Sequence, residues 1–304
     1  MSAPANVPPR TTKTGPDEVL RRLDLAVSHK LDGLLHGEYQ GIVPGHGPEL
    51  GETRAYQAGD DVRRIDWNVT ARLQEPYVRD TIADRELETW VIADLGASMD
   101  FGTAWCEKRD LAVSAAAAVG FLTNRTGNRF GLITLQPSGL EVVPAKGGRT
   151  HLMSALHRLT TTPRAGEGQV DLSDALARTA AIARRRGLAV VVSDFLGDPE
   201  SWGPALRRVT TRHETVAVEI LDPRELSLPD VGVLSLVDPA TGRTSDVRTS
   251  KKLRDRYEAA AVQQRAAIEQ GIRQAGADHL ILRTDQDWLL DIARFVASRR
   301  ERVH

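Results

Sequence analysis

The sequence predicts an α/β fold, a mostly parallel sheet flanked by helices, preceded by an N-terminal Arg/Asp-rich subdomain that contains β-structure. Three observations carry this reading. From Glu88 onward, short apolar runs alternate with segments of helical periodicity, as in a sheet covered on both faces. Two of those runs, Trp90-Val-Ile-Ala-Asp94 and Leu188-Ala-Val-Val-Val-Ser-Asp194, are continuous strand-like stretches that end in a carboxylate. The 304 residues, 41% hydrophobic and 27% charged, suffice for one large domain or two modest ones with a buried core.

Residues 1–16 read as a disordered leader, with Pro4, Pro8, Pro9, Gly15 and Pro16 and no apolar stretch that would make a secretory signal. Residues 17–87 hold an N-terminal helix and the Arg/Asp-rich segment. Asp17 has the position of an N-cap, and Val19, Leu20, Leu23, Val27, Leu31 and Leu34 recur at helical spacing until Gly33 to Gly37 ends the helix. The Gly/Pro-rich stretch 41–51 reads as loop. Residues 88–304 form the α/β domain. After the strand ending at Asp94 come an alanine-rich helix from Cys106 to Arg125 and a hairpin of Arg129–Gln136 with Leu140–Val143. Helices at His151–Leu159 and Leu172–Arg186 precede the strand ending at Asp194. A helix near Trp202–Val209, a strand at Thr215–Leu221 and a second hairpin inserted near 231–249 follow. A helix at Lys251–Ala275, a strand at His279–Leu282 and a helix at Gln286–Arg300 close the chain.

Forty basic residues against forty-one acidic ones give a net charge of −1, which removes the global basic excess typical of polyanion binders. Of the clusters Arg184–Arg186, Lys251-Lys252 with Arg254 and Arg256, and Arg299-Arg300 with Arg302, the first and third are explained by helix C-termini that attract cations, and no nucleic-acid partner is expected. A single cysteine, Cys106, rules out an internal disulfide framework and fits a cytoplasmic location. No apolar run reaches the length of a membrane span. Within the balance, Arg54 to Arg85 holds six arginines and six acids interleaved with Tyr56, Trp67 and Tyr77. Burial of such aromatics would pin neighbouring Arg–Asp pairs, so this segment reads as an ion-paired platform.

Ligands of open α/β sheets bind beyond the carboxyl ends of the strands. Asp94, with Gly96 and Ser98 two and four residues later, and the distant Asp194 therefore form the candidate site. Such oxygens can converge on Mg²⁺, or the two aspartates can simply cap turns and Ser98 the segment after it. An enzyme reading would make Asp94 and Asp194 the centre of a metal-dependent hydrolase. No phosphate-binding loop, nucleophile elbow or His-Glu-x-x-His motif accompanies them, and no nucleophile is paired with a base.

The strand, the Asp94-x-Gly96-x-Ser98 turn and the later Asp194 resemble a von Willebrand factor A domain, whose metal-ion-dependent adhesion site reads Asp-x-Ser-x-Ser, then Thr, then Asp. The block from Arg54 to Arg72, with Asp60, Asp61, Arg63, Arg64, Asp66 and Trp67, resembles the signature of the domain of unknown function 58 family. In that family a von Willebrand A-like, Rossmann-like domain follows this segment. The resemblance implies a degenerate Mg²⁺ site at Asp94, Ser98 and Asp194, because Gly96 replaces the first serine. It also implies a protein-binding surface that includes Gly96 and, where the threonine is expected, Asp171 and Ser173. By the same resemblance the protein is a non-enzymatic adaptor. Its expected partner is an AAA+ ATPase of the MoxR type, or that ATPase's client, in the assembly or maturation of protein complexes.

Overall fold

Strands without an alternating polar face need cover on both sides, and the computed structural model supplies it. It describes residues 7–9, 15–34, 53–57, 62, 65–79, 87–125, 127–166, 168, 170–238 and 241–303. The chain divides into a large unit, residues 1–43 with 87–304, and a small one, residues 44–86.

In the large unit, six strands form one sheet in the order β10-β7-β6-β3-β4-β5. They are β3 (Glu88–Asp94), β4 (Arg129–Gln136), β5 (Gly139–Lys146), β6 (Gly187–Ser193), β7 (His213–Leu221) and β10 (Asp278–Arg283). All neighbours run parallel except the β4–β5 hairpin. The first strand of this sheet, β3, thus lies in its interior. The chain leaves β3 through helix α3 (Lys108–Arg125) to β4 and β5 on one side. It then passes through α4 (Arg149–Thr161) and α5 (Leu172–Ile182) to β6 on the other. Opposite excursions leave a crevice between the carboxyl ends of β3 and β6.

Side chains of one strand alternate between two cores. Val91 and Ala93 of β3, continued by Leu95, face a cluster with α3, α4, the N-terminal helix α1 (Pro16–Leu34) and the C-terminal helix α8 (Trp288–Val303). Trp90 and Ile92 face a cluster with α5, α6 (Pro199–Thr210) and α7 (Lys251–Ala275). Helix α3 is buried along most of its length and carries the alanine run Ala115–Ala118, small enough to let neighbouring helices approach closely. On the second face, the buried Glu219 of β7 is bonded to Arg265 of α7 and lies 2.8 Å from His279 Nε2 of β10.

Two readings of the N-terminal region need correction. Helix α1 belongs to the large unit rather than with the Arg/Asp-rich segment, because Val19, Leu20, Leu23 and Val27 are fully buried against α3, α4 and α8. Within the expected leader, Val7 packs against the same core and Pro8 is buried.

Element boundaries also move, three of them as follows. Helix α3 begins at Lys108, which leaves the buried Cys106 in the turn before it. Helix α5 stops at Ile182, where the cap residue Ala183 lies with its carbonyl 3.1 Å from His213 Nε2. Arg184 to Arg186 therefore follow the helix instead of ending it. Strand β5 runs on to Lys146.

In the small unit, β1 (Thr53–Ala55) pairs antiparallel with β2 (Tyr77–Arg79), so the backbone of Arg54 lies opposite Val78. The short helix α2 (Trp67–Leu73) is capped by Asp66, whose carboxylate accepts from the N–H groups of Asn68 and Val69 at 3.1 and 3.3 Å. Trp67 is 71% exposed, so it does not pin its neighbours as expected; α2 has no buried residue and presents the indole to solvent at its first position. Arg72 is exposed on the same helix. Asp60, Asp61, Arg63 and Arg64 lie outside the described residues.

Truncating Leu20 to alanine tests the place of α1. Removal of a fully buried leucine side chain should lower the unfolding free energy of the whole domain by about 2–5 kcal/mol in denaturant titration. An unchanged midpoint would mean that α1 is an appendage.

Candidate functional site

The two strands at the crevice end in acidic residues, and backbone geometry turns both carboxylates inward. Asp94 closes β3 and is 3% exposed. Its Oδ1 accepts from the Gly96 N–H at 2.8 Å, and its Oδ2 accepts from the Ser193 hydroxyl at 2.7 Å. Asp194 follows β6 and is equally buried; its Oδ1 accepts from the Leu196 N–H at 3.2 Å, and the Ser98 hydroxyl lies close enough to favour its charged form. The next residue, Phe195, is buried at φ 52°, a left-handed conformation unfavourable for a side chain with a Cβ. Its ring meets Trp202 edge-on at 5.3 Å and its N–H donates to Ser193 Oγ at 3.1 Å, which together hold the turn that aims Asp194.

The centre of the site is Lys108, a residue the sequence reading passed over. It stands first in α3 with 1% of its surface exposed. Its ammonium donates to Asp194 Oδ2 at 2.8 Å and to Glu225 Oε1 at 2.5 Å. Glu225 ends a short turn after β7, where it also closes a capping box by accepting from the Asp222 N–H at 2.8 Å. Asp222 is itself fully buried and accepts from the Thr103 N–H and hydroxyl and from the Thr284 hydroxyl at 2.6–2.8 Å. One lysine thus ties the ends of β6 and β7 to the start of α3. Beside it the buried Arg109 donates to Asp100 at 3.3 Å and to the carbonyls of Thr162 and Pro163, fastening the loop after β3 to the one after α4.

The signal for Lys108 was a cationic pair opening a helix. The positive end of the macrodipole disfavours cations there, so Lys108-Arg109 requires carboxylates from elsewhere in the fold. The signal for Glu225 was the Asp222-Pro-Arg-Glu225 spacing of a capping box.

One ammonium faces three carboxyl groups, and their proton affinities diverge accordingly. Burial works against charge on Lys108, but Asp194 and Glu225 more than offset it and hold the ammonium above the ordinary lysine range. Burial raises Asp194 too, but Lys108 and the Ser98 hydroxyl outweigh it and leave the carboxylate below its usual value. Asp94 is pushed up to about 6, by burial first and then by the charge of Asp194, with Gly96, Ser193 and Lys108 pulling the other way. Glu225 is also raised, by burial, with Lys108 opposing.

Lys108 already supplies the positive charge that a divalent cation would bring to these carboxylates. Mg²⁺ needs free oxygen lone pairs and room for several waters. Here Asp94 accepts from Gly96 and Ser193, and Asp194 from Lys108 and Leu196. No group of three or more His, Cys, Asp or Glu suited to a metal occurs among the described residues. The position of the expected first serine is closed as well, because a Cβ on Gly96 would come within 2.9 Å of Val170.

Of the other expected site residues, Asp171 caps α5 and accepts from the Ser173 N–H at 2.8 Å. Asp94, Ser98, Asp171, Asp194, Val170, Leu196 and Trp202 line one cleft of about 470 Å³ at the crevice. The basic residues expected at helix ends are partly paired internally: Arg185 lies 3.8 Å from Glu88, Arg254 lies 2.7 Å from Asp230, and Arg299 lies 2.6 Å from Asp278.

Two substitutions test this geometry. Lys108→Met leaves buried carboxylates without their cation and should cost about 3–5 kcal/mol of stability by denaturant unfolding. The second concerns pH. Folded Asp94 keeps its proton up to about pH 6, whereas the unfolded chain releases it near 3.8, so the folded state binds more protons in between and Asp94 makes stability fall as pH rises through that window. Asp94→Asn removes this loss. Its advantage over the parent should grow between about pH 4 and 6 and level off at roughly 2–3 kcal/mol above that; a difference independent of pH would contradict the arrangement.

Comparison with known proteins adds the family. The uncharacterized protein Rv1480 of Mycobacterium tuberculosis (strain ATCC 25618 / H37Rv) is 52% identical over 282 residues, 92% of this chain and 89% of its own length. The uncharacterized protein Mb1516 of Mycobacterium bovis gives the same values. Among solved structures, the conserved hypothetical protein BatB from Bacteroides thetaiotaomicron is similar with a TM-score of 0.44 at 10% identity, over 71% of this chain and 99% of that one. The SpRpn10 VWA domain is similar with a TM-score of 0.42 at 14% identity, over 69% of this chain and 94% of that one. Residues 52–267 match the family described as "Protein of unknown function DUF58", a span that takes in the switch-point carboxylates together with Lys108 and Glu225, and the chain belongs to that family.

Proposed function

We propose that the protein is a non-enzymatic, cytoplasmic protein-binding module that works with a MoxR-type AAA+ ATPase, or its client, in the assembly or maturation of protein complexes. The observation that carries this reading is the state of the carboxyl edge of the sheet. Its carboxylates accept hydrogen bonds from internal donors, and the cleft they line opens beside the exposed Leu196. Phe101, on the loop after β3, is exposed at the same edge of the sheet. Apolar side chains around an acidic centre suit a protein partner better than a small reacting molecule. A hydrolase would also need a nucleophile paired with a base, and Asp194 is instead ion-paired with Lys108. The ATPase partner rests on the family resemblance of the Arg54–Arg72 signature. No described helix is long and apolar enough to cross a membrane.

Because Lys108 supplies the positive charge, partner binding is independent of divalent ions. In a binding assay with a purified MoxR-type ATPase, EDTA should leave affinity unchanged. The double substitution Phe101→Asp with Leu196→Asp should weaken binding at least about tenfold without moving the melting temperature. Binding that is lost on chelation, or retained in full by the double variant, would overturn this reading.

A further inference from the structure

A ribbon stands apart from the sheet between β7 and α7. Strands β8 (Val233–Val237) and β9 (Thr244–Arg248) pair antiparallel, and no other described strand joins them. The root of the ribbon is fixed. Thr249 N–H donates to Gly232 O at 2.8 Å, and Arg254 of α7 donates to Thr249 O at 2.8 Å and lies 2.7 Å from Asp230. Its tip-ward strand is apolar in water: Val233 and Val237 are 62% and 63% exposed, and Val231 and Leu236 are exposed too. A two-stranded ribbon is marginal alone, and exposed edges normally carry lysine, proline or a bulge to prevent pairing. None of these occurs in Val233-Leu-Ser-Leu-Val237.

The open edge can be read from the pairing. Asp238 N–H donates to Arg243 O and Thr249 N–H to Gly232 O. Even-numbered residues of β8 therefore make the ladder with β9, because antiparallel hydrogen bonds alternate. Val233, Ser235 and Val237 turn their peptide groups outward; the Val233 N–H makes only a local bond to Val231 O at 3.1 Å. These three positions are symmetric about Ser235, and the sequence of β8 is a palindrome about the same residue.

We propose that β8 pairs with β8 of a second copy of this chain, antiparallel about a two-fold axis through Ser235, to make a continuous four-stranded ribbon. In that register Ser235 lies opposite its counterpart as a hydrogen-bonded pair, and Val233 lies opposite Val237 in both directions. Leu234 falls opposite Leu236, so every aliphatic side chain of the strand gains an aliphatic neighbour. The contact is isologous, so it closes at the dimer, and its small area sets a weak association in the micromolar range.

Sedimentation equilibrium of the full chain should show a concentration-dependent dimer. Ser235→Pro removes an outward N–H and no ladder bond, and should weaken dimerisation at least about tenfold while the monomer's melting temperature holds. Ser235→Lys, which places two ammonium groups together on the axis, should do the same if the proline disturbs folding. Ser235→Cys should form a covalent dimer under mild oxidation, since hydrogen-bonded antiparallel partners lie about 5.5 Å apart at Cα and the native Cys106 is buried. A chain that stays monomeric to millimolar concentration would overturn the proposal. A dimer insensitive to both Ser235 substitutions and refractory to Ser235→Cys cross-linking would also overturn it.

Discussion

An ammonium group shielded from water persists only where carboxylates surround it, and the carboxyl edge of the sheet is arranged around that demand at Lys108. The charge comes from the first turn of α3, its partners from the ends of β6 and β7, and each partner is held by a further capping interaction. Bringing several ions out of water costs several kcal/mol each, repaid only when geometry and hydrogen bonding are good. The left-handed Phe195, the capping box at Asp222 and the Ser98 turn are the local means by which these loops meet the requirement. The same arrangement leaves Asp94 as the surplus acid, which relieves the excess negative charge by keeping its proton to about pH 6.

That charge pattern bears on what the site can do. In the resembled adhesion site a divalent ion gathers the loops and offers coordination to a partner. A buried lysine can gather loops equally well, but it has no vacant coordination position. Under the proposed function, recognition comes from the surface those loops present, where Leu196 and Phe101 are exposed and Asp171 rims the cleft. With the ion replaced by a fixed side chain, adhesion of this proposed kind, by shape and apolar contact, would need no divalent ion.

Much of the fold was legible from residue patterns because sheet strands and helices advertise their periods. The two Asp-terminated strands, both hairpins and the 25-residue α7 lie where the sequence places them. What α1 packs against was not legible, since an apolar stripe shows that a helix is buried but not on what. The interleaving of Trp67 with arginines and acids suggests burial, but at the first position of a seven-residue helix with no buried residue that pattern decides nothing. At the site, Asp94, Ser98 and Asp194 do come together, but the groups that complete them are separated by more than a hundred residues. Lys108 and Glu225 meet only once β6, β7 and α3 are in place, and only the helix-opening Lys-Arg pair and the capping-box spacing hinted at them.

The central question is whether Lys108 occupies the role of the ion. Thermal unfolding of the wild-type protein across a series of Mg²⁺ concentrations tests this directly, because any ligand bound by the folded state alone raises the melting temperature with concentration. A melting temperature that does not respond to Mg²⁺ in the wild type, and that drops when Lys108 is replaced by methionine, is the expected result. A saturable rise with Mg²⁺ in the wild type would contradict it.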